Sequence, residues 1–157
     1  MLRPVFSTAV LTVGCLLALS LVGNVRGADP PHVAASDPLT AGRFLVAYGG
    51  CNDCHTARWD QLHDATPTAE LLTGNPRGFA GPWGTSYAAN LRLLFAKMSP
   101  DDWLHLVRHH DGFDHPPMPW YNIQQLTPDD QRAIYVYIHG LGPAGVPAPP
   151  YTPPTAR

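Results

Sequence analysis

Three stretches of the chain repeat one pattern: a capping residue, a proline, then apolar positions spaced by three and four. The first opens at Asp37-Pro38 and places Ala41, Phe44, Leu45 and Tyr48 on one face. The second opens at Ser99-Pro100-Asp101-Asp102 and carries Trp103, Leu106 and Val107. The third opens at Thr127-Pro128-Asp129-Asp130 and carries Ile134, Tyr137, Ile138 and Leu141. Asp, Ser and Thr side chains accept from the free N–H groups of a first turn, and proline at the first helical position has no N–H to lose. Acids in that turn suit the positive end of the helix dipole. The pattern predicts a helix from Asp37, a second from Ser99 to about His110, and a third from Thr127 to the glycines at 140 and 142. Leu91, Leu94, Phe95 and Met98 predict a weaker fourth. No strand-like alternation of convincing length appears, so the expected fold is all-α, three to four helices with long loops.

The N-terminus reads differently. Arg3 precedes an uncharged apolar run from Val5 to Val22, and small residues follow at Gly27 and Ala28. This is the pattern of a secretion signal, with cleavage expected after Gly27. The alternative is an uncleaved anchor that tethers the protein to a membrane, since about 18 apolar residues just span a bilayer. Cys15 lies in this run and would leave with it. The expected boundaries are 1–27 signal peptide, 28–36 linker, 37–142 one small domain, and 143–157 a Pro-rich tail. Six prolines in the sixteen residues from Gly142 make that tail extended, either a free linker or a segment laid along the domain through Tyr151.

Charge narrows the function. Asp, Glu, Lys and Arg make up 14% of the chain, against about 25% in an ordinary soluble domain. Removing residues 1–27 leaves eight basic residues against twelve acids, with Lys97 the one lysine. No basic patch for nucleic acid exists.

The chemistry lies in Cys51-Asn52-Asp53-Cys54-His55, which continues the spacing of the first helix, three residues after Tyr48. Thiols three apart on a helical turn sit about 5–6 Å from one another. Both can reach the two vinyl groups of one porphyrin while the adjacent imidazole ligates its iron. C-x-x-C-H is the attachment signature of haem c. A redox-active C-x-x-C would be expected beside a βαβ unit, a disulfide here would staple almost nothing, and structural zinc wants a second ligand pair. The second axial ligand must be Met or His, and Met118, Met98 and His115 are the candidates. Met98 completes an apolar helical stripe, which favours a packing role. His105 and His109, at helical i, i+4 spacing, are read as a solvated face.

With that motif in place, the chain from Asp37 to about Leu141 resembles the single-haem cytochrome c family. The resemblance implies a helix leading into the haem motif, a Met-Pro ligand loop and a C-terminal helix packed across the first. It implies Cys51 and Cys54 as covalent attachment sites and His55 and Met118 as axial ligands of the iron. Gly81-Pro82-Trp83-Gly84-Thr85, Tyr87-Ala88-Ala89-Asn90-Leu91, Met118-Pro119-Trp120 and Ala133-Ile134-Tyr135 are also similar to the cytochrome c modules that accompany periplasmic sugar and alcohol dehydrogenases. On that basis Trp83, Tyr87 and Asn90 are expected at a haem edge, as propionate donors or as packing. The acceptor for the second N–H of His55 is sought in Thr66 to Gly81. The expected role is one-electron transfer in the periplasm, serving a dehydrogenase, an oxidase or another cytochrome. A haem enzyme or gas-binding sensor with an open sixth position is the alternative. With one lysine the chain cannot build a lysine ring for steering. Partner contact is expected instead through Pro116, Pro117, Pro119, Trp120 and Tyr121, unless the tail covers them.

Overall fold

The computed structural model describes residues 32–155. The expected signal peptide 1–27, with Cys15, and the start of the linker lie outside the described residues.

The chain folds as α1 (Pro38–Tyr48), α2 (Cys51–His55), α3 (Trp59–Leu62), two single 3₁₀ turns, β1 (Gly78–Gly81), β2 (Gly84–Tyr87), α4 (Leu91–Phe95), α5 (Pro100–His109), α6 (Trp120–Gln124) and α7 (Pro128–Gly140). The expected helix starts are built as capping predicts. Asp37 accepts from the Thr40 N–H at 2.9 Å. Ser99 and Asp102 form a reciprocal capping box, and Thr127 accepts from the Asp130 N–H at 3.1 Å. Two antiparallel strands, β1 and β2, correct the all-α expectation to a mostly helical fold with one hairpin. Each strand is four residues long and rich in glycine, too short for an alternating pattern to stand out in the sequence.

The core lies where α1 crosses α7, with α4 and α5 closing it. Val46, Leu72, Phe95, Val107 and Ile138 are almost fully buried there. Phe95 stands between Trp103 and Tyr135, with ring centroids at 4.9 and 5.7 Å. The Trp103 indole donates to the Gln131 carbonyl at 2.8 Å, and the Tyr135 hydroxyl to the Met98 carbonyl at 2.9 Å. Each buried ring thus keeps its polar end satisfied.

The buried face of α1 differs from the expected one. Ala41, Gly42, Leu45 and Val46 are buried, while Phe44 is 52% and Tyr48 83% exposed, their rings stacked on one another at 5.6 Å. The reason is the tight approach of α7: a Cβ on Gly42 would lie 1.9 Å from the Ala133 carbonyl oxygen. At that distance small residues must face α7, and the helix turns its aromatic residues outward. Residues 143–155 lie along the domain, and Thr152 bridges to Thr85 of β2.

Candidate functional site

The C-x-x-C-H segment is not a continuation of α1. Gly49 caps α1, and Gly50 at φ +65° turns the chain before α2 begins at Cys51. A Cβ at Gly50 would also stand 2.8 Å from the Asp53 carboxylate, so glycine serves both the left-handed turn and the space. The single turn of α2 keeps Cys51 and Cys54 three residues apart on one helix. Both are free thiols. Cys51 packs against the core, and burial pushes its thiol up to about 11; burial, aided by Asp53, also raises Cys54. Both are therefore neutral thiols near pH 7.

His55 is buried, and its Nδ1 lies 2.8 Å from the carbonyl oxygen of Ala89. A carbonyl can only accept, so Nδ1 carries the proton and donates it. Burial lowers the imidazole's pKa, the Ala89 bond opposing it, so the ring is neutral. The remaining nitrogen, Nε2, then holds an unshared pair, and the ring's orientation is set, as ligating histidines require. The expected acceptor range, Thr66 to Gly81, is corrected to Ala89, which comes near because the chain between them folds back on itself. The Gly74 N–H donates to the His55 carbonyl at 2.7 Å, and the Asn75 N–H to the Ala88 carbonyl at 3.2 Å. Gly74 sits at φ +90° in this seam, where a Cβ would be 3.0 Å from the Asn90 nitrogen. Thr56, fully buried, donates to Asn52 at 2.7 Å and accepts from the Leu72 N–H at 2.8 Å.

Beside α2 lies a cavity of about 800 Å³ whose walls include Thr56, Trp59, Arg77, Phe79, Trp83 and Pro117. Thr56 follows His55 and Pro117 precedes Met118, so one cavity wall adjoins each expected axial ligand; neither His55 nor Met118 lines it. The Trp83 Nε1 is buried without a hydrogen-bond partner in the protein. Orphaned buried donors cost free energy unless something else accepts from them. Two free thiols, a neutral oriented imidazole and an unpartnered indole N–H beside a cavity fit a haem attached through thioethers.

The other expected contacts separate. Asn90 is buried and its side chain is fully committed: its oxygen accepts from the Leu93 N–H at 3.0 Å, capping α4, and its amide donates to the carbonyls of Ala144 and Val146 at 2.8 and 3.0 Å. Tyr87 is half-buried at the end of β2. Met118 is half-buried outside the core cluster, whereas Met98 packs against that cluster. Trp120 turns inward, within 6.4 Å of the Trp103 ring, and donates to the Phe113 carbonyl at 3.0 Å, while Tyr121 is 67% exposed. Trp120 is thus partly buried against the core, while Tyr121 stands exposed. His105 and His109 lie on the surface, with His105 3.3 Å from Asp111. Among the described residues no three His, Cys, Asp or Glu side chains gather as a metal site. Nor, among the described residues, is any helix long and apolar enough to cross a membrane.

Two curated proteins are similar to this chain. One is the fructose dehydrogenase cytochrome subunit of Gluconobacter japonicus, 28% identical over an alignment of 160 residues that covers 94% of this chain and 30% of that protein. The other is the gluconate 2-dehydrogenase cytochrome c subunit of Pantoea cypripedii, 29% identical over 138 residues, covering 82% of this chain and 29% of that protein. The chain thus spans about three-tenths of the length of each. No family model matches, and no solved structure does. Both relatives are named as cytochrome subunits of dehydrogenases, a likeness that supports cytochrome c kinship, haem binding and a part in electron transport.

Proposed function

We propose that residues 37–142 form a c-type cytochrome domain holding one haem, exported to the periplasm by residues 1–27, which carries single electrons for a dehydrogenase or a respiratory chain. When bound, the haem supplies the redox chemistry at its iron. Cys51 and Cys54 tether it, and His55 offers Nε2 to the iron while Ala89 holds the ring. Met118 would supply its thioether to the iron, from a loop stiffened by Pro116, Pro117 and Pro119. Trp83, in the turn of the hairpin, would stand at the haem edge with its N–H free to donate to a carboxylate, and Tyr87, at the far end of β2, would add a second contact. The apolar core excludes water, and sulfur as second ligand favours the ferrous state. The protein acts as an electron-transfer subunit, not as an enzyme in its own right, and its partner is a dehydrogenase, an oxidase or another cytochrome.

The observation that carries the reading is the His55–Ala89 hydrogen bond at 2.8 Å, which leaves Nε2 unprotonated one residue from a free thiol and four from another. The test is expression with its leader in a host that attaches haem outside the cytoplasm. Denatured protein should retain one haem by mass, and Cys51→Ala with Cys54→Ala should retain none. The ferrous protein should resist carbon monoxide; ready binding would point to an open sixth position and a sensor or enzyme instead.

A further inference from the structure

Beyond Gly142 the composition is that of a linker, yet the tail is held to the domain at successive points. Asn90 grips it first, through the carbonyls of Ala144 and Val146 at 2.8 and 3.0 Å. Thr152 then exchanges two backbone hydrogen bonds with Thr85, 2.8 and 2.9 Å, along β2. Gly84 makes room for it: at φ +101°, with a Cβ that would stand 2.2 Å from the Thr152 oxygen, no other residue fits. Between these points the Tyr151 ring lies on the His115 ring, centroids 3.8 Å apart and planes 8° from parallel, while its hydroxyl donates to the Trp83 carbonyl.

His115 stands three residues before Met118, in a stretch without regular structure. The next residue, Pro116, has its carbonyl bonded by the Ser86 hydroxyl of β2. On the far side the Trp120 N–H donates to the Met118 carbonyl at 3.0 Å. The segment leading to Met118 is thus gripped by β2 through Ser86 and by the tail through Tyr151, and the tail is itself fastened to β2.

We propose that the tail is a strap and Tyr151 a positioning residue for Met118. The inference rests on the reading of Met118 as axial ligand. A loop of this kind loses entropy when its sulfur is held at one point, and a stack that orders it beforehand reduces that loss. Loosening the strap raises the population of loop-open protein, in which the sixth position is accessible to an added ligand.

The experiment compares holoprotein with its Tyr151→Leu, Tyr151→Phe and Met118→Ala variants. The readouts are hydrogen exchange at the amides of Asp114, His115 and Met118, and the affinity of the ferric protein for imidazole. Tyr151→Leu should speed exchange and tighten imidazole binding by about three- to ten-fold, the worth of one aromatic pair, and Tyr151→Phe, which keeps the stack, should stay within about two-fold of the parent. Unchanged exchange and affinity in Tyr151→Leu would overturn the proposal. So would faster exchange with unchanged imidazole affinity, since the tail would then be structural only, or a Phe variant as loose as Leu. If Met118→Ala leaves the methionine-to-iron charge-transfer band and the imidazole affinity intact, the ligand assignment itself fails, and the strap's role toward iron with it.

Discussion

Gly42 of α1 lies directly against the carbonyl oxygen of Ala133 on α7: a side chain of one carbon there would meet that oxygen at 1.9 Å and the Tyr137 Cβ at 2.8 Å. Since the obstructing atoms are largely backbone, no rotamer change relieves the clash, and the two helices must part. Gly42→Ala should therefore destabilise the holoprotein by about 3 kcal/mol, the upper end of what overpacking a core costs. Denaturant unfolding measures it. A loss below about 1 kcal/mol would mean that α1 and α7 slide past one another at little cost.

Arg92 is buried, and among the described residues no carboxylate pairs with it. Its guanidinium donates to the carbonyls of Leu141 and Gly142, where α7 ends and the tail begins, and to that of Thr68 at 3.1 Å. Methionine fills the same space and leaves those acceptors unpaired. Arg92→Met should cost at least about 2 kcal/mol, and Arg92→Lys most of that, because a point ammonium cannot span three carbonyls. Thermal unfolding of the two variants checks it; a lysine variant as stable as the parent would contradict the fork geometry.

Met118 and Met98 should respond in opposite ways. Met118→Ala is expected to remove the methionine-to-iron band and lower the reduction potential, since nitrogen or water replaces sulfur. Met98, packed on the core cluster, should leave both unchanged on replacement by Ala while costing about 1–3 kcal/mol of stability. Potentiometry and unfolding on the same two samples separate the roles.

The Asp102 carboxylate accepts from the Ser99 N–H and hydroxyl, both at 2.8 Å, and these bonds hold its pKa below the ordinary 3.8. The folded state thus binds this proton less readily than the unfolded state. Its contribution to stability is complete above about pH 4 and is lost as pH falls through the lower folded value. Ser99→Ala removes the hydroxyl bond, so the Asp102 midpoint followed by carboxyl NMR should move toward 3.8 and the melting temperature should fall. A midpoint that stays put would assign the whole shift to the backbone N–H.

Partner contact is expected to be weakly electrostatic, because the chain carries a single lysine. Electron transfer from a purified dehydrogenase partner to the haem protein should change only a few-fold between low and physiological salt. Tyr121→Ala should weaken that contact by about 1–2 kcal/mol. Trp120→Ala should instead cost stability, about 2–3 kcal/mol, because its ring lies against Trp103. A hundred-fold fall in rate with salt would show steering by a charged surface.

What the sequence determined by itself is what a few consecutive residues can decide. The starts at Asp37, Ser99 and Thr127 are legible because each cap acts on an N–H three residues away. The C-x-x-C-H spacing is legible because one helical turn suffices to bring its thiols together. The packing role of Met98 follows from the same short-range periodicity. The tertiary structure decided whatever depends on distant segments meeting. Which face of α1 is buried turned on the closeness of Ala133 to Gly42, not on which side chains are most apolar, so Phe44 and Tyr48 went outward. The acceptor for His55 lies 34 residues away, at Ala89, and a backbone carbonyl carries no mark in the sequence. The hairpin rests on four-residue strands, and its function as a seat for the tail depends on Gly84 leaving space at Thr152. Composition left the tail open between a free linker and a segment laid along the domain; the ring of Tyr151 on His115, and the grip of Asn90, made it part of the domain. Local hydrogen bonds are fixed by residue type at short spacing, whereas these contacts exist only once helices, hairpin and tail have closed around one core.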